Sequence, residues 1–284
     1  MDNPFNLHND DSYARWREHK LARAPQNLED LIVEVRDPRA LLPSEHKALR
    51  LRIKDCNMAI YASPIKIADT NIPRLLGKQF GLEHLDANWL ADGDGISEIR
   101  VFEAGARQQY IPYTDKPIKW HTDGYYNSPE RNILGMILHC VQPAGQGGEN
   151  RLMDHEIAYL RLRDVNPEFI RALSTPHAMT IPERADEHGV ARAAQSGPVF
   201  SVRNGQLHMR YTARTRSIVW HPETLAAVKQ LEQILTSDDQ HIYRISLESG
   251  MGLLCNNVLH DRESFIDDVT QPRLLYRARF LDRI

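Results

Sequence analysis

After residue 96 the chain is a succession of short apolar runs, ISEIRVFE, RNILGMILHCV, PVFSV, QLHMRY, RSIVW, HIYRISL, GLLCNN and RLLYRARFL, parted by Gly, Pro and Asn. Runs of that length between turn residues predict the strands of an antiparallel β-sandwich or barrel. Before residue 96 the apolar positions recur at helical spacing instead. Ser44 is the expected N-cap of a helix over EHKALRLRIKDC, and Ile72, Leu75, Leu76 and Phe80 mark one face of a helix predicted over 67–80. Further helices are predicted over 155–162, 167–173 and 222–235, the last with Leu225, Val228, Leu231 and Leu235 as its apolar face. A sandwich with helices packed on its outside accommodates this order better than alternating βαβ units, so the class is α+β. No repeat and no long Pro/Gly/Ser linker divides the chain. One domain spanning 1–284 is expected, with a mixed, mainly helical flanking region at 1–95 and the β core, carrying helical insertions, at 96–284.

Composition narrows the function without naming it. With 42% hydrophobic and 26% charged residues over 284 positions, a sizeable soluble core is expected. A net charge of −3 exerts no global pull on nucleic acid or an anionic membrane, so neither is expected as a partner, and any anion must be recognised locally. Three widely spaced cysteines, Cys56, Cys140 and Cys255, do not make a paired framework and read as reduced. The segment MDNPFNLHNDDSYARWREHK lacks the apolar core of a signal peptide, and no apolar run is long enough to span a bilayer. A cytoplasmic protein with a small-molecule partner is expected, and homo-oligomerisation is left open.

Thirteen histidines are present, and three His-x-Asp triplets occur where about one is expected by chance. His8-Asn9-Asp10 lies in the polar amino-terminal segment and His84-Leu85-Asp86 in a helical or looped stretch; both are read as surface residues. His121-Thr122-Asp123 differs, because Ile118-Lys119-Trp120 before it suits a short strand, in which residues two apart share a face. An imidazole and a carboxylate so placed can take adjacent corners of an octahedral ion. One distant histidine would complete the two-histidine, one-carboxylate face of non-haem iron(II) oxygenases and leave three positions open.

WHTD, the later segment NNVLHDRESF and the closing PRLLYRARF together resemble, in this order, the taurine and 2,4-dichlorophenoxyacetate dioxygenase family, relatives of the γ-butyrobetaine hydroxylases. The resemblance runs from about Ile96 to the carboxyl terminus. It implies a double-stranded β-helix, or jelly roll, with flanking helices, and Fe(II) held by His121, Asp123 and His260. It also implies 2-oxoglutarate as cosubstrate with O2, its far carboxylate on Arg273, whose planar fork suits a carboxylate. Succinate and CO2 would accompany hydroxylation of an unactivated carbon in a small organic anion. A carboxylate at Asp123 occupies the position a halide would need, so hydroxylation rather than halogenation is expected.

Around these residues the reading is less determined. Strand alternation puts Arg273, Leu275, Arg277 and Arg279 on one face, so pattern alone does not separate functional from structural arginines. The resemblance ranks Arg273 first and gives Arg277 a substrate-side role. Gly145-Gln146-Gly147-Gly148-Glu149-Asn150 lacks the Gly-Lys-Ser/Thr of a phosphate loop and reads as a tight strand connection, with Asn150 standing where the family often has a threonine against 2-oxoglutarate. Tyr126, just past the ligand strand, is a substrate-pocket candidate, and Tyr125 reads as a core aromatic. Arg214 is a substrate-side candidate with Arg216 beside it, against the alternative that both face solvent on a strand edge. His139, His177, His208 and His221 read as structural or surface residues. The competing functions are a metal-dependent hydrolase, which would not need Arg273, and an inactive jelly-roll binding protein, which would not need the ligand set.

Overall fold

The computed structural model describes residues 3–86, 95–186, 189–216 and 218–284. Strands β1 (Ile32–Glu34), β2 (Met58–Ala62), β3 (Ser97–Ile99), β5 (Gly135–Gln142), β8 (Met251–Cys255) and β10 (Leu274–Phe280) form one sheet in the order β1-β2-β8-β5-β10-β3. Strands β4 (Ile118–His121), β6 (Asn150–Met153), β7 (Tyr243–Ile245) and β9 (Leu259–Arg262) form a second, in the order β7-β6-β9-β4. Within these sheets only β1 and β2 pair in parallel.

Alternation along the strands assigns their faces. Leu253 and Cys255 of β8, Met136 and Cys140 of β5, and Leu275 of β10 meet Leu152, Tyr243 and Ile245 of the smaller sheet in the core between the sheets. Their neighbours Leu254, Ile137, Tyr276, Ala278 and Phe280 face outward onto Leu49 and Ile53 of α2 (Pro43–Cys56) and Leu76 of α3 (Asn71–Gln79). The outer face of the smaller sheet, through Trp120, Met153 and Leu259, is covered by Ile157, Leu162, Leu173 and Leu231. These come from α4 (His155–Val165), α5 (Pro167–Leu173) and α6 (Leu225–Thr236), while α1 (Asp10–Arg23) adds Tyr13. Short hairpins complete this side, among them Arg184–Asp186 with Gly189–Arg192 and Phe200–Arg203 with Gln206–Met209.

Several elements depart from the sequence expectation. The first helix over the EHKALRLRIKDC run starts at Pro43, not after a Ser44 cap, because proline's fixed φ suits the first helical position. The Glu45 carboxylate reaches back to accept from Leu42 N–H at 2.7 Å. The helix expected from 67 starts at Asn71, where the Asp69 side chain accepts from Asn71 N–H at 2.9 Å and turns the chain. Leu75 and Leu225 are exposed, at 39% and 54%, and Ala227 and Ile234 join Val228, Leu231 and Leu235 on the buried face of α6 instead. The amino-terminal region supplies strands as well as helices: β2 pairs with β8 along its whole length. No helix among the described residues is long and apolar enough to cross a membrane.

Candidate metal centre

His121 and His260 are direct partners in the antiparallel pairing of β4 with β9. Residues so opposed have Cβ atoms within about 5.5 Å, and the two imidazole centroids are 4.2 Å apart. The pairing slips between His260 and Arg262, so the bulge lies beside these two residues. Asp123 is not on the strand, as the alternation argument assumed; β4 ends at His121 and the chain turns at Gly124, with φ 68°. That turn brings Asp123 Oδ1 to 3.6 Å from His121 Nε2. One donor atom from each of His121, Asp123 and His260 lies within 4.8 Å of the others, and all three residues are buried.

The chemistry of this donor set fits a divalent cation. His121 Nδ1 lies 3.0 Å from Lys119 O and His260 Nδ1 3.0 Å from Val258 O. A proton on each Nδ1 leaves Nε2 as the free lone pair. Burial first, and then the neighbouring His121, lower His260 to about 4, so its ring is neutral at pH 7. Burial alone would raise Asp123, but the Arg277 guanidinium, with Arg279 behind it, outweighs burial and holds the carboxyl well below its usual range. Its Oδ2 is buried without a hydrogen-bond partner among the described residues. An ionised carboxylate and two imidazoles whose Nε2 atoms are free of backbone partners form the donor set that Fe(II) accepts.

The turn carrying Asp123 has little slack. A Cβ on Gly124 would lie 2.4 Å from Ile133 Cγ1, in a left-handed conformation that disfavours any side chain. Gly124→Ala is expected to lower unfolding stability by about 2 kcal/mol. Urea unfolding checks this, and unchanged stability would show that the turn relaxes freely.

The arginines of the last strand are separated by their partners. Arg273 precedes β10 and is buried, its guanidinium 4.9 Å from the Phe265 ring centre, with Nη1 unpartnered among the described residues. Burial lowers it to about 10, so it remains a cation at neutral pH. Arg262 covers Phe265 as well, also at 4.9 Å, and holds the carbonyls of Pro112, Thr114 and Lys116. Arg277 Nη1 stands 3.3 Å from both Asp123 oxygens, while its Nε is buried and has no hydrogen-bond partner among the described residues. Arg279 is structural in its contacts: Nη2 donates to Asp86 Oδ2 at 2.8 Å and Nη1 to Tyr126 Oη at 2.7 Å.

Those contacts revise two readings. Asp86 of the second His-x-Asp triplet is 3% exposed and clamped by Arg279 and Arg131, so it is no surface residue, although His84 is exposed and pairs with Asp282. Half-buried Tyr126 is committed through its hydroxyl to Arg279. Asn150 is buried beside His260, in a small apolar pocket with Leu138, Leu152, Ile245, Leu247 and Leu253. Its Nδ2 already donates to Asp261 O at 2.6 Å, leaving only part of its amide for a ligand. Arg214 is half-buried and acts electrostatically on Tyr125, whereas Arg216 is exposed. Tyr125 packs edge-on to Tyr126 with centroids 5.2 Å apart and lies over His121 at 6.4 Å. His139 faces the helices and meets Tyr61 Oη at 2.9 Å; its buried Nε2 has no partner among the described residues. Sequence reasoning missed the Asp86–Arg279 pair, for which adjacency carries no signal, and Asn257. For Asn257 the doubled asparagine before VLH was the available hint of a left-handed turn.

The family model described as taurine catabolism dioxygenase TauD, TfdA family matches residues 78–279. A uridine-5′-phosphate dioxygenase of a Streptomyces species is 30% identical over 200 residues, covering 66% of this chain and 70% of that protein. A crystal structure of a taurine dioxygenase from Burkholderia xenovorans superposes with TM-score 0.61 at 20% identity, over 90% of this chain and 89% of that one. The non-haem iron oxygenase OrfP, solved in complex with Fe and α-ketoglutaric acid, gives 0.60 at 16% identity, over 84% and 80% of the two chains. Identities this low show a common fold, here the jelly roll with flanking helices.

Proposed function

Because this chain belongs to the TauD/TfdA dioxygenase family, we propose that His121, Asp123 and His260 hold the Fe(II) of a 2-oxoglutarate-dependent dioxygenase and that Arg273 and Arg277 divide the anion binding between cosubstrate and substrate. The enzyme is an oxidoreductase that hydroxylates a small substrate. Bound iron and 2-oxoglutarate supply the oxidising chemistry: O2, 2-oxoglutarate and R–H give R–OH, succinate and CO2. The observation that carries the reading is the buried triad, two imidazoles and a carboxylate with donor atoms within 4.8 Å of one another.

The remaining residues orient the reactants. Arg273 is a buried cation with an unused Nη1, placed to take the far carboxylate of 2-oxoglutarate. Asn150 contributes at most its remaining amide hydrogen and its Oδ1 to that pocket. Arg277 steadies the Asp123 carboxylate with Nη1 and offers its unpartnered Nε to an anionic group of the substrate. Tyr126 and Arg214 belong to the same substrate-side reading, supported by the Tyr125 and Tyr126 rings packed 5.2 Å apart and by the charge of Arg214 acting on Tyr125. The uridine-5′-phosphate dioxygenase relative adds phosphate esters to the carboxylates, sulfonates and phosphonates to be tried. One folding unit in a reducing cytoplasm belongs to the same reading, supported by β2 inside the large sheet and by three buried, unpaired cysteines.

The test is a panel of organic anions with neutral and cationic controls, scored by O2 uptake and succinate above the uncoupled background. Anions are expected to give the coupled turnover. Arg277→Gln is expected to lower kcat/KM for the best of them by about 30-fold, since one charge-assisted hydrogen bond contributes about 2 kcal/mol. Metal affinity is measured alongside, because Arg277 also touches Asp123. Coupled oxidation of neutral or cationic compounds alone, or an Arg277→Gln enzyme with undiminished kcat/KM, would remove the anion assignment.

A further inference from the structure

Asn257 has φ 50°, in the left-handed region, and is 1% exposed. Asparagine is among the few side chains that tolerate this conformation. Its amide is turned wholly toward a different part of the chain. Oδ1 accepts from Asp123 N–H at 2.8 Å, while Nδ2 donates to Asp123 O at 3.0 Å and to Ile133 O at 2.7 Å. One side chain therefore engages both backbone groups of Asp123 and ties them to Ile133, the residue that also confines Gly124. Asp123 lies past the end of β4, where no sheet ladder supplies these bonds.

The position of Asn257 in the chain gives this contact its consequence. It sits in the turn between β8 and β9, three residues before His260. The turn that delivers His260 thus also grips the backbone of Asp123, 134 residues away from Asn257. We infer that Asn257 is a positioning residue of the metal centre, locking the Asp123 carboxylate against His260 so that divalent-cation affinity depends on a side chain outside the ligand set. The inference rests on the reading of His121, Asp123 and His260 as ligands. Supporting partners of this kind typically govern metal affinity by roughly 10- to 100-fold.

The experiment is an anaerobic Co(II) titration of the metal-free full chain, followed by the visible absorption of the bound ion, beside a thermal melt. Asn257→Gly permits φ 50° and removes all three hydrogen bonds. Asn257→Ser keeps a shorter oxygen and serves if the glycine variant does not fold. Leu231→Ala, on the buried face of α6, is the control for general destabilisation, and His260→Ala the control for the ligand set. The expected result is a Co(II) Kd raised roughly 10- to 100-fold in Asn257→Gly and less in Asn257→Ser, with the Leu231→Ala value within about twofold of the parent. Unchanged affinity in the Asn257 variants, or an equal loss in Leu231→Ala, overturns the positioning role. If His260→Ala also binds Co(II) like the parent, the ligand reading itself falls; if it loses Co(II) while Asn257→Gly retains it, only the positioning role does.

Discussion

His260→Ala is expected to abolish stoichiometric Fe(II) binding and, with it, succinate formation from 2-oxoglutarate. The imidazole is one of the three proposed donors, so its loss leaves two, and affinity should fall by more than the roughly 100-fold upper range seen for supporting partners alone. The effect is local. His260 lies within β9, whose backbone pairing with β4 and β6 does not depend on its side chain, so the variant should remain folded. His121→Ala, its cross-strand partner, should behave alike. Anaerobic Fe(II) titration with parallel succinate assays checks both, and a variant that still takes up one ion per chain at parental affinity would remove that histidine from the coordination set.

Arg273→Met is expected to raise the 2-oxoglutarate Kd by about 100-fold, because a bidentate, charge-assisted pair contributes on the order of 3 kcal/mol. Metal affinity should be nearly unchanged, since the contacts of Arg273 run to Phe265 and Asp267 rather than to His121, Asp123 or His260. The same substitution should not lower, and should if anything raise, the melting temperature without 2-oxoglutarate. A buried cation whose Nη1 lacks a partner carries a desolvation cost that methionine does not. Anaerobic binding of 2-oxoglutarate to the metal-loaded protein, beside melts of the free protein, reads both signs. If Arg277→Gln weakened 2-oxoglutarate while Arg273→Met did not, the roles of the two arginines would be exchanged.

The sequence by itself determined the character of the core and the chemical types at its centre. Alternating residues such as Leu253 and Leu254, or Leu275 and Tyr276, sort to opposite faces wherever the sheet is placed, because the side-chain period of a strand is two. WHTD and VLHDR carry the two histidines and the carboxylate of the proposed metal centre in order, and the closing arginines supply the cations. What a given cation or carboxylate does was decided by the tertiary structure alone. Arg273, Arg277 and Arg279 share a strand face in the sequence, yet they meet, respectively, the Phe265 ring, the Asp123 carboxylate and the Asp86–Tyr126 pair. His121 opposes His260 through the register of β4 on β9, and Asp123 joins them where the chain has left the strand and its backbone is hydrogen-bonded to Asn257. Local patterning fixes which face a residue takes. Register and turn geometry fix its partner, and for His121, Asp123, Arg277 and Arg279 these are settled by pairings between segments more than a hundred residues apart, where neighbouring sequence carries no record of the contact.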